Sequence, residues 1–465
     1  MHRFSIMAAL AVVSAAVLGV SCFPPADTSV LTDPESGGIT TSSGALPSST
    51  QPADIAGPRY RFSQLDPLFE ATAGAKALRI VDVNRDGLND VVSISSESQS
   101  VQIHLRNALT RLFETTIIAG GAPLSKMTDV EVADFNQDLR PDLVVLVEDT
   151  GYAAPSGVSK IGAVVLLFQG ADATNVNQWT QVSLAFTLNG TGGLTDLAVG
   201  DFDGVNGPDV LILSNEVADH QGDPDTYARI FFNPGAALAT TSAAWIDADI
   251  DADIADMSSA DVRDIDQDGD WDAVLGVPAA ASFNVRWLEN PLVPDGVAAA
   301  RAGDWTPHMI GQQAGGADAV AIGDIDEDGD LDAAVAHTAF GLVQWFRNPG
   351  AEALRLETRP VPWEVFNIGT LSGSAAINQL QLLDIDGDGH LQCFVTASGR
   401  AYGFKRQEDV EDYWARYTIF NTDPVAVVGI IDIDDLNGDG LLDFVAPLDR
   451  DGLTRDQFVL FTREP

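Results

Sequence analysis

The chain has 465 residues, and its 68 acidic side chains outnumber its 25 basic ones, so its formal net charge is −43. Nucleic acids and anionic membrane surfaces are excluded as partners, because both carry the same sign of charge. Two cysteines are present, Cys22 and Cys393, which excludes a fold held together by several disulfides.

The N-terminus has the pattern of an export signal. A short basic start, Met1-His-Arg3, precedes an apolar run from Met7 to Val20. This run is too short to span a bilayer, so residues 1–21 are predicted to be a signal peptide.

The next segment is predicted to tether a globular domain. Cys22 directly follows the small Ser21, which resembles a bacterial lipid attachment site, although an ordinary signal peptidase could cut the same bond. Residues 22–57 are rich in Ser, Thr, Pro and Gly, as in a flexible linker, and residues 58–465 are the predicted domain. We expect an exported protein of the bacterial cell envelope, at the outer membrane or surface or else periplasmic or secreted, whose one membrane contact is a lipid on Cys22.

Seven acidic loops of the form Asp-x-(Asp/Asn)-x-Asp-Gly-x-x-Asp recur in this domain. We call them loops 1 to 7 and number the residues of each from position 1 to position 9. They begin at Asp82, Asp134, Asp201, Asp264, Asp324, Asp384 and Asp435. Their spacing runs from 51 residues (384 to 435) to 67 residues (134 to 201), which fits a repeated unit of four strands.

Each loop has the ligands of a calcium site. Calcium takes six to eight oxygens, and carboxylates at positions 1, 3, 5 and 9, with a backbone carbonyl at position 7, can surround one ion. The glycine at position 6 suits a left-handed turn. Magnesium fits a flexible loop less well, and zinc is disfavoured because cysteine and histidine ligands are lacking.

Four loops are complete, and we predict that they are the strong sites. Their expected ligands are Asp82, Asn84, Asp86 and Asp90 in loop 1; Asp264, Asp266, Asp268 and Asp272 in loop 4; Asp324, Asp326, Asp328 and Asp332 in loop 5; and Asp435, Asn437, Asp439 and Asp443 in loop 7.

The other three loops each depart from the pattern, so weaker sites are expected there. In loop 2 Leu139 replaces the glycine, in loop 3 Val205 replaces the fifth-position ligand, with Asn206 as a substitute, and in loop 6 Gln392 replaces the last carboxylate. The remaining ligands are Asp134, Asn136, Asp138 and Asp142; Asp201, Asp203 and Asp209; and Asp384, Asp386 and Asp388. Together the loops predict four to seven calcium ions. The alternative is that they are solvated acidic turns, in which Asp, Asn and Gly are common for other reasons.

The flanking sequence predicts strands. Short runs rich in β-branched residues precede and follow each loop, and two more alternating runs complete most units. Four strands per unit predict an all-β, seven-bladed propeller. The last unit lacks its fourth strand, so the stretch Arg59–Leu65 is expected to pair with the C-terminal strand and close the ring. Tryptophans at one fixed place per unit are expected to pack between blades.

Loops and strands together resemble the FG-GAP and VCBS repeats, which are calcium-binding propeller blades related to the integrin α head. Gly151-Tyr-Ala-Ala-Pro155 is similar to half of the FG-GAP signature, and the Asn-Pro-Gly turns after the third strands resemble the bacterial VCBS branch. The resemblance implies structural calcium on one rim and a ligand bound elsewhere.

Two functional hypotheses follow. The first is a non-catalytic, monomeric propeller for adhesion or recognition of an extracellular or envelope protein or glycan. It is favoured because no nucleophile elbow, Cys/His pair or zinc motif is evident. The second is a calcium-dependent carbohydrate-active enzyme of the polysaccharide lyase or sugar dehydratase type, which the resemblance also allows. His220, in the irregular insert 215–227, is the histidine best placed for such a role.

Overall fold

Seven four-stranded antiparallel sheets, arranged in a ring as propeller blades, make up the computed structural model of the chain. The predicted fold is confirmed. The structure describes residues 52–64, 75–154, 160–188, 193–215, 226–251, 257–278, 284–303, 305–311, 316–356, 363–371, 376–408, 410–421, 426–427, 429–449 and 456–463. The predicted signal peptide, Cys22 and His220 lie outside these residues.

Each of the first six blades is built from four consecutive strands, listed here from the channel outward. Blade 1 has β2 (Ala75–Val81), β3 (Asp90–Ser95), β4 (Ser100–Arg106) and β5 (Phe113–Gly120). Blade 2 has β6 (Lys126–Ala133), β7 (Asp142–Asp149), β8 (Lys160–Gln169) and β9 (Trp179–Leu188). Blade 3 has β10 (Leu194–Gly200), β11 (Asp209–Asn215), β12 (Thr226–Phe232) and β13 (Ile246–Asp251).

The next blades follow the same plan. Blade 4 has β14 (Ser259–Arg263), β15 (Asp272–Gly276), β16 (Val285–Glu289) and β17 (Thr306–Gly311). Blade 5 has β18 (Ala319–Gly323), β19 (Asp332–His337), β20 (Leu342–Arg347) and β21 (Glu364–Thr370). Blade 6 has β22 (Ile377–Leu383), β23 (Gln392–Ala397), β24 (Arg400–Lys405) and β25 (Ala415–Asn421).

Blade 7 joins the two ends of the described chain. Its innermost strand is split into two short segments that both pair with β28, namely β26 (Ala426–Val427) and β27 (Asp432–Asp434). The other three strands are β28 (Asp443–Asp449), β29 (Asp456–Arg463) and β1 (Tyr60–Gln64). Short helices occur between third and fourth strands: α1 (Leu292–Asp295), α2 (Val297–Ala300), α3 (Ala351–Leu356) and the 3-10 turns Val176–Gln178 and Ser242–Ala244.

The second strands are the most buried elements. Every residue of β3, β15, β19 and β23 is buried, because neighbouring blades cover both faces of these strands. The fourth strand β5 alternates between buried and exposed residues, as expected at the outer edge of the ring. Sequence runs rich in valine, isoleucine and alanine thus become the middle of each blade.

Tryptophans pack between blades, as predicted. The ring of Trp305 in blade 4 lies 6.0 Å from that of Phe202 in loop 3, and Trp245 in blade 3 lies 6.2 Å from Phe135 in loop 2, both edge to face. The indole N–H groups donate to backbone carbonyls of the preceding connection, for example from Trp245 to Ala239 at 2.9 Å. Buried aromatic groups therefore fix the spacing of successive blades.

The ring is closed by the N-terminal strand. β1 pairs antiparallel with β29, with Tyr60 opposite Arg463 and Gln64 opposite Val459. The ring of Tyr60 lies 4.3 Å from that of Phe444 on the neighbouring strand β28. The predicted pairing of the first and last segments is confirmed, and it covers the edge that β29 would otherwise expose.

The segment before β1 lies against blade 6. Asp54 forms two hydrogen bonds of 3.0 and 2.9 Å with the guanidinium of Arg416, and the Ile55 N–H donates to the Arg416 carbonyl at 2.8 Å. A Cβ on Gly57 would lie 2.4 Å from the Tyr417 ring, so this approach requires glycine. Asp54, which lies within the segment 22–57 predicted as tether, thus contacts the propeller, because Arg416 offers a paired charge there.

Within the described part of the chain, no helix is long and apolar enough to cross a membrane.

Replacing Tyr60 by alanine is expected to weaken the closure. The change removes a largely buried ring from its contact with Phe444 and should lower the free energy of unfolding by about 2–4 kcal/mol. Ile55→Ala is the matched control, because this side chain is exposed and should cost less than about 0.5 kcal/mol. Urea denaturation measures both, and equal midpoints for the two variants would contradict a closing role for β1.

Candidate metal sites on the acidic loops

The seven acidic loops connect the first and second strands of their blades and share one backbone conformation. Residues at position 4 and at position 6 have positive φ in all seven: Arg85 and Gly87, Gln137 and Leu139, Gly204 and Asn206, Gln267 and Gly269, Glu327 and Gly329, Gly387 and Gly389, and Gly438 and Gly440. Leu139 reaches the same turn at φ 67° despite its Cβ, which a non-glycine residue adopts only at a steric cost. Loop 2 is therefore strained in the common geometry and does not adopt a different one.

In six of the loops, all except loop 6, a carboxylate at position 9 fastens the loop to its own blade. In loop 4, the two oxygens of Asp272 accept from the N–H of Ile265 at position 2 (3.0 Å) and from the N–H of Asn290 just after the third strand (2.8 Å). Loops 1, 2, 3 and 5 repeat both bonds through Asp90, Asp142, Asp209 and Asp332, and Asp443 in loop 7 bonds Asn437 and Arg463.

A second set of hydrogen bonds links each blade to the one before it. In six blades the residue whose N–H meets position 9 also donates from its side chain to the position-2 carbonyl of the preceding loop, as Asn290 does to Phe202 at 2.7 Å. In blade 6 the side chain of Arg406 makes the corresponding bond to Ile325. We call these seven residues the bridging residues: Arg106, Gln169, Asn233, Asn290, Asn348, Arg406 and Arg463. Because Arg106 of blade 1 bonds Leu436 in loop 7, the set forms a closed belt.

Burial places these carboxylates in an unfavourable electrostatic position. It raises the pKa of Asp272 to about 9, of Asp142 and Asp209 to about 8, and of Asp90 and Asp332 to about 7. The N–H bonds oppose this shift, and neighbouring loop carboxylates add to it. A cation bound in the loop would stabilise the ionised form.

Four loops bring three carboxylates close enough for one cation. Within each group, the ligand oxygens lie within 4.8 Å of one another, and opposite ligands of a calcium ion are about 5 Å apart. The groups are Asp201, Asp203 and Asp209; Asp264, Asp266 and Asp272; Asp324, Asp326 and Asp332; and Asp384, Asp386 and Asp388. Among the described residues, loops 1, 2 and 7 form no such group.

Loops 3, 4 and 5 also contain a buried oxygen that lacks a partner. In the described structure, Oδ1 of Asp201, of Asp264 and of Asp324 is shielded from solvent and accepts no hydrogen bond. Burial, together with Asp203, raises the pKa of Asp201. An unpaired, buried carboxylate oxygen at position 1 is what a metal ligand needs, so these three loops fit calcium.

The structure ranks the loops as calcium sites in a different order from the sequence. Loops 1 and 7 match the motif fully but have Asn at position 3, and the amides of Asn84 and Asn437 donate to Asp86 and Asp443, both at 3.0 Å. In loops 3 to 6 the residue is Asp, which cannot donate. In loops 1 and 7 both oxygens of the position-1 carboxylate, on Asp82 and Asp435, accept N–H bonds from their loops. The sequence motif counts Asp and Asn at position 3 as equivalent ligands, so it does not reveal this difference.

Basic residues beside the loops were also missed by the sequence analysis. Arg301 pairs with Asp203 in loop 3, Arg347 with Asp326 in loop 5 at 2.6 Å, and Lys405 with Asp386 and Asp388 in loop 6. Arg347 and Lys405 end third strands and Arg301 follows α2, so the fold, and not the loop motif, brings them near the carboxylates.

Three histidines in or beside the strands are held by packing and hydrogen bonds. His104 and His337 are buried within strands, where His104 bonds Ser93 and Thr115. His308 stacks on Trp287 at 4.4 Å and bonds Glu289. Asp247 and Asp249 on β13 pair with Arg229 on the adjacent strand β12.

The fold and its loops thus define a seven-bladed propeller whose first and second strands are joined by acidic loops on one rim. Residues 82–145 match the protein-family model of the FG-GAP-like repeat. The chain is thus a seven-bladed propeller that contains an FG-GAP-like repeat in its first two blades. No curated protein matches it in sequence.

One solved structure supports the fold, and two others resemble the chain only distantly. A chain from the mercury-soaked crystal structure of BBS1N in complex with ARL6DN superimposes with a TM-score of 0.50 at 10% identity, over 87% of this chain and 98% of the other. YCF48 from Cyanidioschyzon merolae gives 0.45 at 11% identity, over 86% and 98%. An Agrocybe aegerita lectin specific for non-reducing terminal N-acetylglucosamine gives 0.43 at 13% identity, over 76% and 81%. At such identities the likeness shows the fold alone.

Asn290→Ala is expected to weaken the belt. It leaves the buried carbonyls of Phe202 and Trp271 without their side-chain donor, so the free energy of unfolding should fall by about 2–3 kcal/mol. Asn107→Ala is the control, because Asn107 holds only an exposed turn and should cost less than about 1 kcal/mol. Chemical denaturation of both variants measures the difference, and an Asn290 variant as stable as the control would contradict the belt.

Proposed function

We propose that the protein is a calcium-stabilised, non-catalytic recognition propeller of the cell envelope, binding a protein or glycan. Calcium occupies loops 3, 4 and 5 and holds the ring together, and the partner binds the rim opposite the acidic loops. The proposal depends above all on one observation, the unpartnered buried Oδ1 atoms of Asp201, Asp264 and Asp324.

Calcium would contribute a modest stability at each site. Extracellular calcium modules bind at roughly 10⁻⁴–10⁻³ M, so at about 1 mM calcium each site adds about 0.4–1.4 kcal/mol by mass action. Three sites then add about 1–4 kcal/mol, a sizeable part of an ordinary domain's stability. The high negative charge is also reduced on the rim where it is densest.

Recognition is assigned to the opposite rim for a chemical reason. The connections between second and third strands lie there, away from the proposed ions, and they present Tyr152 and Phe340 with more than half of each side chain exposed. Exposed aromatic residues are frequent anchors in protein and glycan recognition. The BBS1N structure named above is a complex with ARL6DN, an example of a protein partner on this architecture.

Ion counting combined with thermal unfolding tests the calcium sites. Wild-type protein should bind three calcium ions and gain stability with calcium but not with magnesium. Asp264→Asn and Asp324→Asn should each lose one ion and part of the calcium-dependent gain, since each removes a charged ligand with an unpartnered oxygen. Asp82→Asn, in loop 1, is the matched control and should keep all three ions. An unfolding midpoint that is the same with and without calcium would overturn the calcium proposal.

Partner binding is tested separately on a glycan array and with purified envelope proteins. Tyr152→Ser combined with Phe340→Ser should abolish binding to any partner that wild-type protein retains, whereas Leu109→Ser on the acidic rim, which is 94% exposed, should leave binding intact. Release of unsaturated products from polyuronates would instead show an enzyme and overturn the non-catalytic role.

A further inference from the structure

Loop 6 resembles loop 3 in having three ligand carboxylates and a basic partner, but its basic partner, Lys405, binds two of the carboxylates, whereas Arg301 binds only one carboxylate of loop 3. Its three carboxylates lie together, but Gln392 occupies position 9 and offers an amide in place of the fourth carboxylate. The Gln392 Oε1 accepts from the Ile385 N–H at 2.7 Å, while its Nε2 donates to Asp386 at 2.8 Å. One oxygen of Asp386 is therefore already taken by a donor.

A lysine ammonium lies between two of these carboxylates, where a metal ion would otherwise bind. The Lys405 ammonium bonds Asp388 at 2.7 Å and also bonds Asp386. Both oxygens of Asp384 accept loop N–H groups, from Gly387, Asp388 and Gly389 at 2.8–3.0 Å. In contrast to loops 3, 4 and 5, the described loop 6 has no unpartnered position-1 oxygen.

Charges agree with this geometry. The hydrogen bond from Lys405 holds the pKa of Asp388 below its usual value. Burial opposes a charged lysine, but the bonds to Asp386 and Asp388 raise the pKa of Lys405. Loop 6 has three ligand carboxylates and this ammonium, whereas loop 5 has four, and calcium affinity falls as ligand charge is lost.

The corresponding residue of blade 5 behaves differently. Arg347 ends its third strand as Lys405 does, but it bonds only one loop carboxylate, Asp326. Its remaining donors go outward to Glu411 at 2.9 Å. Loop 5 therefore keeps the unpartnered oxygen of Asp324, while loop 6 does not.

We infer that Lys405 is the built-in cation of loop 6, replacing calcium there, so that this loop holds its shape without metal. The inference rests on the proposed function for loops 3, 4 and 5. It adds a second kind of acidic loop to the same rim, one whose structure does not change when a chelator removes calcium.

Calcium counting on full-length variants tests the inference. Lys405→Met combined with Gln392→Asp rebuilds the charge of loop 5 and should bind one ion more than wild type. Gln392→Asp alone keeps the lysine and should bind the same number as wild type. Arg347→Met is the matched control, and its count should not rise, because loop 5 already holds an ion.

The outcomes separate the two proposals. An extra ion in the double variant but not in Gln392→Asp supports Lys405 as the loop cation, whatever the wild-type count. An extra ion in Gln392→Asp alone, or an unchanged count in the double variant, overturns it. A wild-type count of zero would overturn calcium in loops 3, 4 and 5 and leaves the comparison between variants intact. If the double variant does not fold, Gln392→Asp can still overturn the inference by binding an extra ion.

Discussion

A buried side chain at the end of each acidic loop, a carboxylate in six loops and the amide of Gln392 in loop 6, is the constraint on which the ring depends. Each carboxylate holds the loop by one oxygen and the end of the third strand by the other, as Asp272 does with Ile265 and Asn290. The same strand end reaches the preceding loop through its bridging side chain. Loop shape and blade spacing are therefore coupled, and a change in the charge of a loop acts directly on contacts between blades.

Desolvation makes this arrangement costly unless the negative charge is balanced. Backbone N–H groups balance part of the negative charge in every loop. Three kinds of side-chain arrangement add to this balance. Asparagine at position 3 donates to a carboxylate in loops 1 and 7, Lys405 supplies an ammonium in loop 6, and loops 3, 4 and 5 present bare oxygens to the proposed ions. One backbone geometry thus serves side chains of different charge.

Features that depend on local sequence were predictable. Loop spacing, alternation of apolar residues and the missing last strand led correctly to seven blades closed by residues near Tyr60. The belt was predictable only in part. Three bridging residues begin the Asn-Pro turns after third strands, namely Asn233, Asn290 and Asn348. The other four are Arg or Gln and share only their place in the sheet. Likewise, Lys405 meets loop 6 through the cross-strand register that sets Cys393 against Phe404, which the spacing of the motif does not contain.

The belt also bears on how such a ring can change in size. Every blade contributes one donor side chain and one acceptor carbonyl, each meeting a different neighbour. Inserting or deleting a whole blade keeps donors and acceptors equal in number, whereas a break inside a blade leaves a buried donor and a buried carbonyl unpaired. Duplication of complete repeats is thus the one kind of length change that this hydrogen-bond pattern tolerates without a compensating substitution.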